Sequence, residues 1–241
     1  MVGIATGVVL IAAGATRTFL APDLQLADVS PAAFATGLAA AQIVIGSCFV
    51  AGLFTRPAAI ALLVLWAPGA ALFGFRAWID YLDVAGFAAF LALCGRGAFS
   101  LDSLRGSAAP SPSAERTAVA VLRLALGANL AILAVNDKLA NPLVTMKIVA
   151  DYHLNFTRFF GPLAFTDDRF VLSAFAIELA VGLIIAAGAM TRLVSAVVFV
   201  LLTTTYFIFG LQELLGHLPI LAGGVALLLM GTGGKWRLSA P

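Results

Sequence analysis

Glu178 to Arg192 reads ELAVGLIIAAGAMTR, an apolar helix that carries one carboxylate and stops at Gly-x-x-Thr-Arg. Gln42 to Arg56, QIVIGSCFVAGLFTR, is its copy in the first half. Gly46, Gly52, Thr55 and Arg56 recur 136 positions later as Gly182, Gly188, Thr191 and Arg192. The same shift carries Gly74 to Gly210 and Gly95 to Gly231, and it holds without a gap from Gln42 to Gly97. The chain therefore reads as an internal duplication. The places where its halves differ are where function should be sought.

Composition sets the solvent. Hydrophobic residues make up 62% of the chain, charged residues 11%, and the mean hydropathy is +1.06. A soluble domain carries about 25% charged residues, so this chain reads as an integral membrane protein with the lipid bilayer as its first partner. A net charge of +2 without a basic run excludes nucleic acid and acidic polymers as partners. Cys48 and Cys94 form no CxxC pair and read as packing thiols. The first 20 residues lack a cationic start and have a counterpart in the second half, so they read as a retained helix and not a signal peptide.

A crossing needs about 20 mostly apolar residues. That predicts eight spans: Val2–Leu20, Phe34–Phe54, Ala58–Phe75 with a kink at Pro68-Gly69, Tyr81–Cys94, Thr117–Asn136, Val171–Met190, Leu193–Leu211 and His217–Gly231. The first ends at Ala21-Pro22, before Asp23. A polar, Pro/Ser-rich linker divides the chain into a unit at 1–100, the linker at 101–116 and a unit at 117–241. A shift of 120 pairs Gly7 with Gly127 and Pro22 with Pro142, so the second half carries 16 extra residues, in a loop at 143–170. Past the last span, the run to Trp236, Arg237 and Leu238 mirrors Gly97 to Leu101. The expectation is an all-α membrane protein built as two parallel four-helix units.

The linker side holds Arg56, Arg96, Arg105, Arg116, Arg123, Arg192, Lys235 and Arg237, the larger share of the basic residues. The positive-inside bias then places both termini in the cytoplasm and the 143–170 loop outside, in a prokaryotic inner membrane.

Ionisable chemistry collects at one end of the second half. Glu178 stands where the first half has Gln42, His217 where it has Tyr81, Lys138 where it has Thr18, and Asp137 where it has Arg17. The inserted loop adds Tyr152, His153, Arg158, Asp167 and Asp168. Glu178 reads equally as a proton acceptor or ligand-binding carboxylate and as a helix–helix hydrogen bond that fixes packing. Each of the others also has a plainer reading. Lys138 can be a snorkelling helix end or pair with Asp137, His153 a solvated loop residue, and His217 a helix cap. Phe156, Phe159, Phe160, Phe165 and Phe170 read as interfacial anchors. Two histidines in separate segments predict no metal, and there is no haem-type Cys motif, Gly-rich phosphate loop or Ser/His/Asp set.

These residues resemble the DoxX/DoxD family of small membrane proteins. The likeness rests on Lys138-x-x-x-Pro142, on Glu178-x-x-x-Gly182 through Gly188-x-x-Thr191-Arg192, on His217 with Gly231, Trp236 and Leu238, and on Arg123-x-x-x-Gly127. It covers the second half and, more faintly, the first. The resemblance implies a membrane subunit of quinone-linked redox metabolism, of the thiosulfate:quinone oxidoreductase type. Quinone is the implied cofactor, and Lys138, Glu178 and His217 line the implied outer-facing site. Other membrane subunits or a periplasmic protein are the implied partners. In that reading Lys138, Arg158 and His153, with Asp137 and Tyr152 beside them, meet an anionic sulfur substrate, and a lipid-side cleft opens near Glu178. The competing reading is a non-catalytic subunit of a larger complex, in which a neighbouring helix satisfies Glu178. A transporter ranks below both, because Pro68 meets Thr204 in the repeat and the break is not duplicated.

Overall fold

The computed structural model describes residues 1–20 and 24–236, and these form helices joined by short turns. Ala21, Pro22 and Asp23 after the first span, and Arg237 and Leu238 in the mirrored tail, lie outside the described residues. In order the helices are α1 (Val2–Thr16), α2 (Ala32–Ala51), α3 (Thr55–Trp66), α4 (Gly69–Phe73), α5 (Phe75–Ile79), α6 (Leu82–Cys94) and α7 (Leu101–Leu104). Then come α8 (Pro112–Leu133), α9 (Pro142–Asp151), α10 (Asp167–Ala187), α11 (Thr191–Phe209) and α12 (Leu211–Met230). A π-helical turn, Ala134–Leu139, continues α8, and a 3-10 segment, Phe156–Leu163, crosses the inserted loop.

The described residues contain six helices long and apolar enough to cross a bilayer. The chain is thus an all-α, multi-pass membrane protein. Two of the eight expected spans fall short: α1 has 15 residues and α6 has 13. At about 1.5 Å per residue they rise roughly 20–23 Å, against a hydrocarbon thickness of about 30 Å. Sequence hydropathy had joined α1 to the apolar turn beyond it, where Phe19 and Leu20 fold back and are buried.

Helix starts also move. α8 begins at Pro112, because the Ser111 hydroxyl accepts from the Ala114 N–H and Pro112 occupies the first helical position. α10 begins at Asp167, where Asp167 and Asp168 face the positive helix end. α12 begins at Leu211, after Gly210 breaks the chain at φ 83°. His217 is therefore inside a helix and does not cap one. The expected kink is present: α3 ends at Trp66 and the helix restarts at Gly69 after Pro68.

Packing repeats between the halves. α1 packs on α2 as α8 packs on α10, and α3 on α6 as α11 on α12. Between the halves, α6 lies on α8 and α12 on α1, so the last helix of each half meets the first of the other. Glycine permits the closest crossings. A Cβ on Gly7 would stand 2.6 Å from the Gly46 carbonyl oxygen, and one on Gly127 would stand 2.5 Å from that of Gly182. The turns repeat as well. Gly52 and Gly188 close α2 and α10 in the left-handed region, with Leu53 and Ala189 N–H groups returning to the Cys48 and Ile184 carbonyls. Phe54 and Met190 follow at φ 52° and 47°, conformations that cost a side-chain-bearing residue about 1 kcal/mol.

In the first half the linker secures this turn. The Asp102 carboxylate accepts from the Phe54 and Thr55 N–H groups, each at 2.8 Å. Its slight burial works to raise its pKa, but these hydrogen bonds and the nearby Arg105 charge outweigh that and hold it below the ordinary carboxylate value. A depressed folded-state pKa contributes stability that is present above the unfolded value of 3.8 and is lost as pH falls through the folded one. Asp102→Ala is expected to cost about 1 kcal/mol at pH 7. Thermal melts should show that difference shrinking below the ordinary carboxylate pKa; a difference that stays constant down to low pH would refute the capping role.

Candidate functional site

The short α1 and α6 leave room between the halves. A chamber of about 490 Å³ lies there, lined from α1, α6, α8 with its π-helical turn, and α12. Its polar wall consists of Asp80, Tyr81, Asp83, Asn129, Asp137, Glu213 and His217, with the Thr6 hydroxyl group among them. No lysine or arginine is among its lining residues.

Local sequence places each group. Gly69 leaves space for the Trp78 ring, which lies tilted against Trp66 with ring centroids 4.1 Å apart and donates its N–H to the Trp66 carbonyl. Trp66 in turn donates to the Tyr81 carbonyl at 2.9 Å, fastening the start of α6 and with it Asp80, Tyr81 and Asp83. Asp83 is buried in the first turn of α6, and its N–H donates to the buried Asn129 side chain across the α6–α8 contact. Asp80 lies in the turn before α6 and accepts from Asn136 at 2.5 Å. Burial raises its pKa, offset in part by that hydrogen bond and by Arg76. His217 and Glu213 stand one turn apart on α12, Nδ1 to Oε1 3.7 Å, and Thr205 Oγ1 lies 3.4 Å from the same ring nitrogen. Pro219, inside α12, has no N–H for the Leu215 carbonyl one turn back.

The π-helical turn sends neighbouring residues in different directions. Asp137 lines the chamber, whereas Lys138 pairs with Glu178 of α10. Lys138 therefore takes Glu178 as its ion-pair partner and not Asp137. The first half fills the same two positions differently. Gln42 is fully buried, accepts from the Leu20 N–H at 2.6 Å and donates to the Thr18 carbonyl at 2.9 Å. An amide holding backbone in one half is thus an ion pair between side chains in the other.

The sequence-derived site divides three ways. His217 and Asp137 face the chamber. Lys138 and Glu178 form a pair beside it, and Glu178 is within electrostatic reach of both His217 and Asp137. Tyr152, His153 and Arg158 are on the inserted loop, away from the chamber lining. There Arg158 is bound by both Asp167 oxygens at 2.9 and 2.7 Å, Tyr152 packs edge-on against Phe209, and His153 is exposed. Phe156, Phe159, Phe160 and Phe165 are exposed, with Phe156 edge-on to Phe170. The described residues place a cavity at the interface of the halves, and Glu178 stands beside it without being in its lining.

Sequence reading passed over Asp83, Asn129, Thr6 and Glu213. Glu213 was within reach of it, four residues before His217 and so on one helical face. The other three gain meaning only from the α1, α6 and α8 contacts. Set against family models, curated proteins and solved structures, the chain has no match.

Proposed function

We propose that this chain is a DoxX-like membrane subunit of quinone-linked redox metabolism, and that its site is the chamber between two parallel four-helix units. In this proposal the short α1 and α6 complete a set of eight spans, both termini are cytoplasmic, and the chamber opens toward the outer face of a prokaryotic inner membrane. The observation that carries the reading is one polar chamber that gathers Asp80, Asp83, Asp137, Glu213 and His217 without a lysine or arginine in its lining. Such a wall disfavours a thiosulfate dianion and favours a neutral ligand that exchanges protons.

The residues suit a quinone headgroup. The volume is adequate, Asn129 offers an amide, and the buried Thr6 hydroxyl has no hydrogen-bond partner of its own. A bound quinone would supply two-electron, two-proton chemistry, the electrons coming from a reduced-sulfur donor handled by a partner subunit. The chain's own work is proton handling. His217 holds or releases a proton at Nδ1, where Glu213 stabilises the charged ring. Asp80 and Asp137, at the mouth formed by the α6 turn and the π-helical turn, connect it to the surface. Asn129 orients Asp83 and α6. Lys138 pairs with Glu178 beside the chamber.

The Lys138–Glu178 pair also favours a second reading, a non-catalytic subunit in which Glu178 serves packing. One experiment separates the two. The protein is purified natively in mild detergent, and co-purifying proteins, bound quinone and thiosulfate-dependent quinone reduction are measured together. His217→Gln is expected to lower reduction about 100-fold while quinone stays bound near one per chain. Partner subunits with no quinone, and a rate indifferent to His217→Gln and Glu178→Gln, would leave the structural subunit.

A further inference from the structure

The start of α3 is an anion seat that its own half fills, since Asp102 occupies the Phe54 and Thr55 N–H groups. The second half builds the same turn, with Gly188 and Met190 left-handed and α11 beginning at Thr191. Among the described residues, however, nothing accepts from the Met190 or Thr191 N–H. The stretch Gly231–Pro241, which follows α12 as Gly95 to Arg105 follows α6, contains no aspartate or glutamate.

Two further observations point to a ligand. Thr191 is 3% exposed, and its hydroxyl is buried without a hydrogen-bond partner. A cleft of about 540 Å³ opens on it, lined also by Met190, Arg192 and Gly231. The Arg192 guanidinium lies against Gly231, with Nε 3.6 Å from where a Cβ would stand. Its hydrogen bond is a long one, 3.3 Å to the Leu229 carbonyl. Among the described residues no carboxylate pairs with it. Because the cleft sits where α10 and α12 end and α11 begins, it meets a membrane surface in either orientation of the chain.

We propose that this cleft binds a phosphate-class oxyanion, seated on the Met190 and Thr191 N–H groups as Asp102 is on those of Phe54 and Thr55, with the Thr191 hydroxyl and the Arg192 guanidinium as further donors. Backbone N–H groups at a helix start favour an anion, and Arg adds a planar donor set suited to phosphate. Basic pockets between spanning helices at the headgroup level are places where anionic lipids dock. Free phosphate shares the chemistry, so the test must tell the two sources apart.

The test uses the full chain in mild detergent, with native mass spectrometry against phosphatidylglycerol and phosphatidylcholine and melting curves with inorganic phosphate. One phosphatidylglycerol per chain should be retained at least tenfold better than phosphatidylcholine. Arg192→Gln should lose that preference, and Thr191→Val should weaken it at an unchanged melting temperature. Arg56→Gln, at the seat Asp102 already fills, should leave it intact. Arg192-dependent protection by inorganic phosphate, without lipid retention, would support the oxyanion seat and assign its source to solution. If neither ligand responds to Arg192→Gln or Thr191→Val, or if Arg56→Gln has the same effect, the proposal is overturned.

Discussion

Arg123→Met is expected to destabilise the protein by about 4 kcal/mol, the scale of a few buried carbonyls left without a donor. Arg123 is 0% exposed in the middle of α8. Nη1 donates to the Ala186 and Ile185 carbonyls at 2.7 and 3.4 Å, and Nη2 to the Trp236 and Lys235 carbonyls at 2.5 and 3.2 Å. One side chain thus ties α8 to the C-terminal end of α10 and to the segment after α12. It places positive charge where the helix dipole is negative. Methionine fills much of the volume but leaves four carbonyls without that donor, each costing about 1–3 kcal/mol if it stays dry. Arg123→Lys should recover less than half of the loss, because a point ammonium cannot span two pairs of carbonyls. Melting in detergent reads the effect. A loss below 1 kcal/mol for Arg123→Met would mean that water already serves those carbonyls.

Gly127→Ala is expected to cost about 3 kcal/mol, at the upper end of overpacking penalties. The new methyl would stand 2.5 Å from both the Ala186 nitrogen and the Gly182 oxygen. These are backbone atoms of α10, so no rotamer change relieves the contact and the helices must separate. Separation would also loosen Arg123 from Ala186, and the two substitutions should therefore combine less than additively. Gly7→Ala should behave alike in the first half, where the Gly46 oxygen stands 2.6 Å away. Gly37, with nothing within 4 Å, is the control, and alanine there should stabilise α2 by up to about 1 kcal/mol. Equal melting temperatures for Gly127→Ala and Gly37→Ala would refute the close crossing.

The polar cluster between the halves was partly legible before the fold was known. His217, Asp137, Lys138 and Glu178 stood out because they replace plainer residues at equivalent positions, and all four lie in one electrostatic neighbourhood. Tyr152, His153 and Arg158 shared only the same end of the chain, and Arg158 is taken up by Asp167. Position along a helix locates a residue in depth but does not say which neighbour it faces. Lys138 and Asp137 are adjacent in sequence, yet one meets α10 and the other the chamber.

Sequence alone determined the solvent, the helical class and the recurrence at 136 positions, because hydropathy and glycine spacing are local properties of the chain. The same reading located the Gly-x-x-Thr-Arg turns, since left-handed residues at the end of a helix leave a compositional mark. Only the tertiary structure decided that α1 and α6 stop short, that the polar wall lies between the halves, and that Glu178 is paired. Those outcomes depend on contacts between residues far apart in the chain: α6 with α8, α12 with α1, and α10 with the π-helical turn. Asp83, Asn129 and Thr6 acquire a common purpose only when three helices bring them to one chamber.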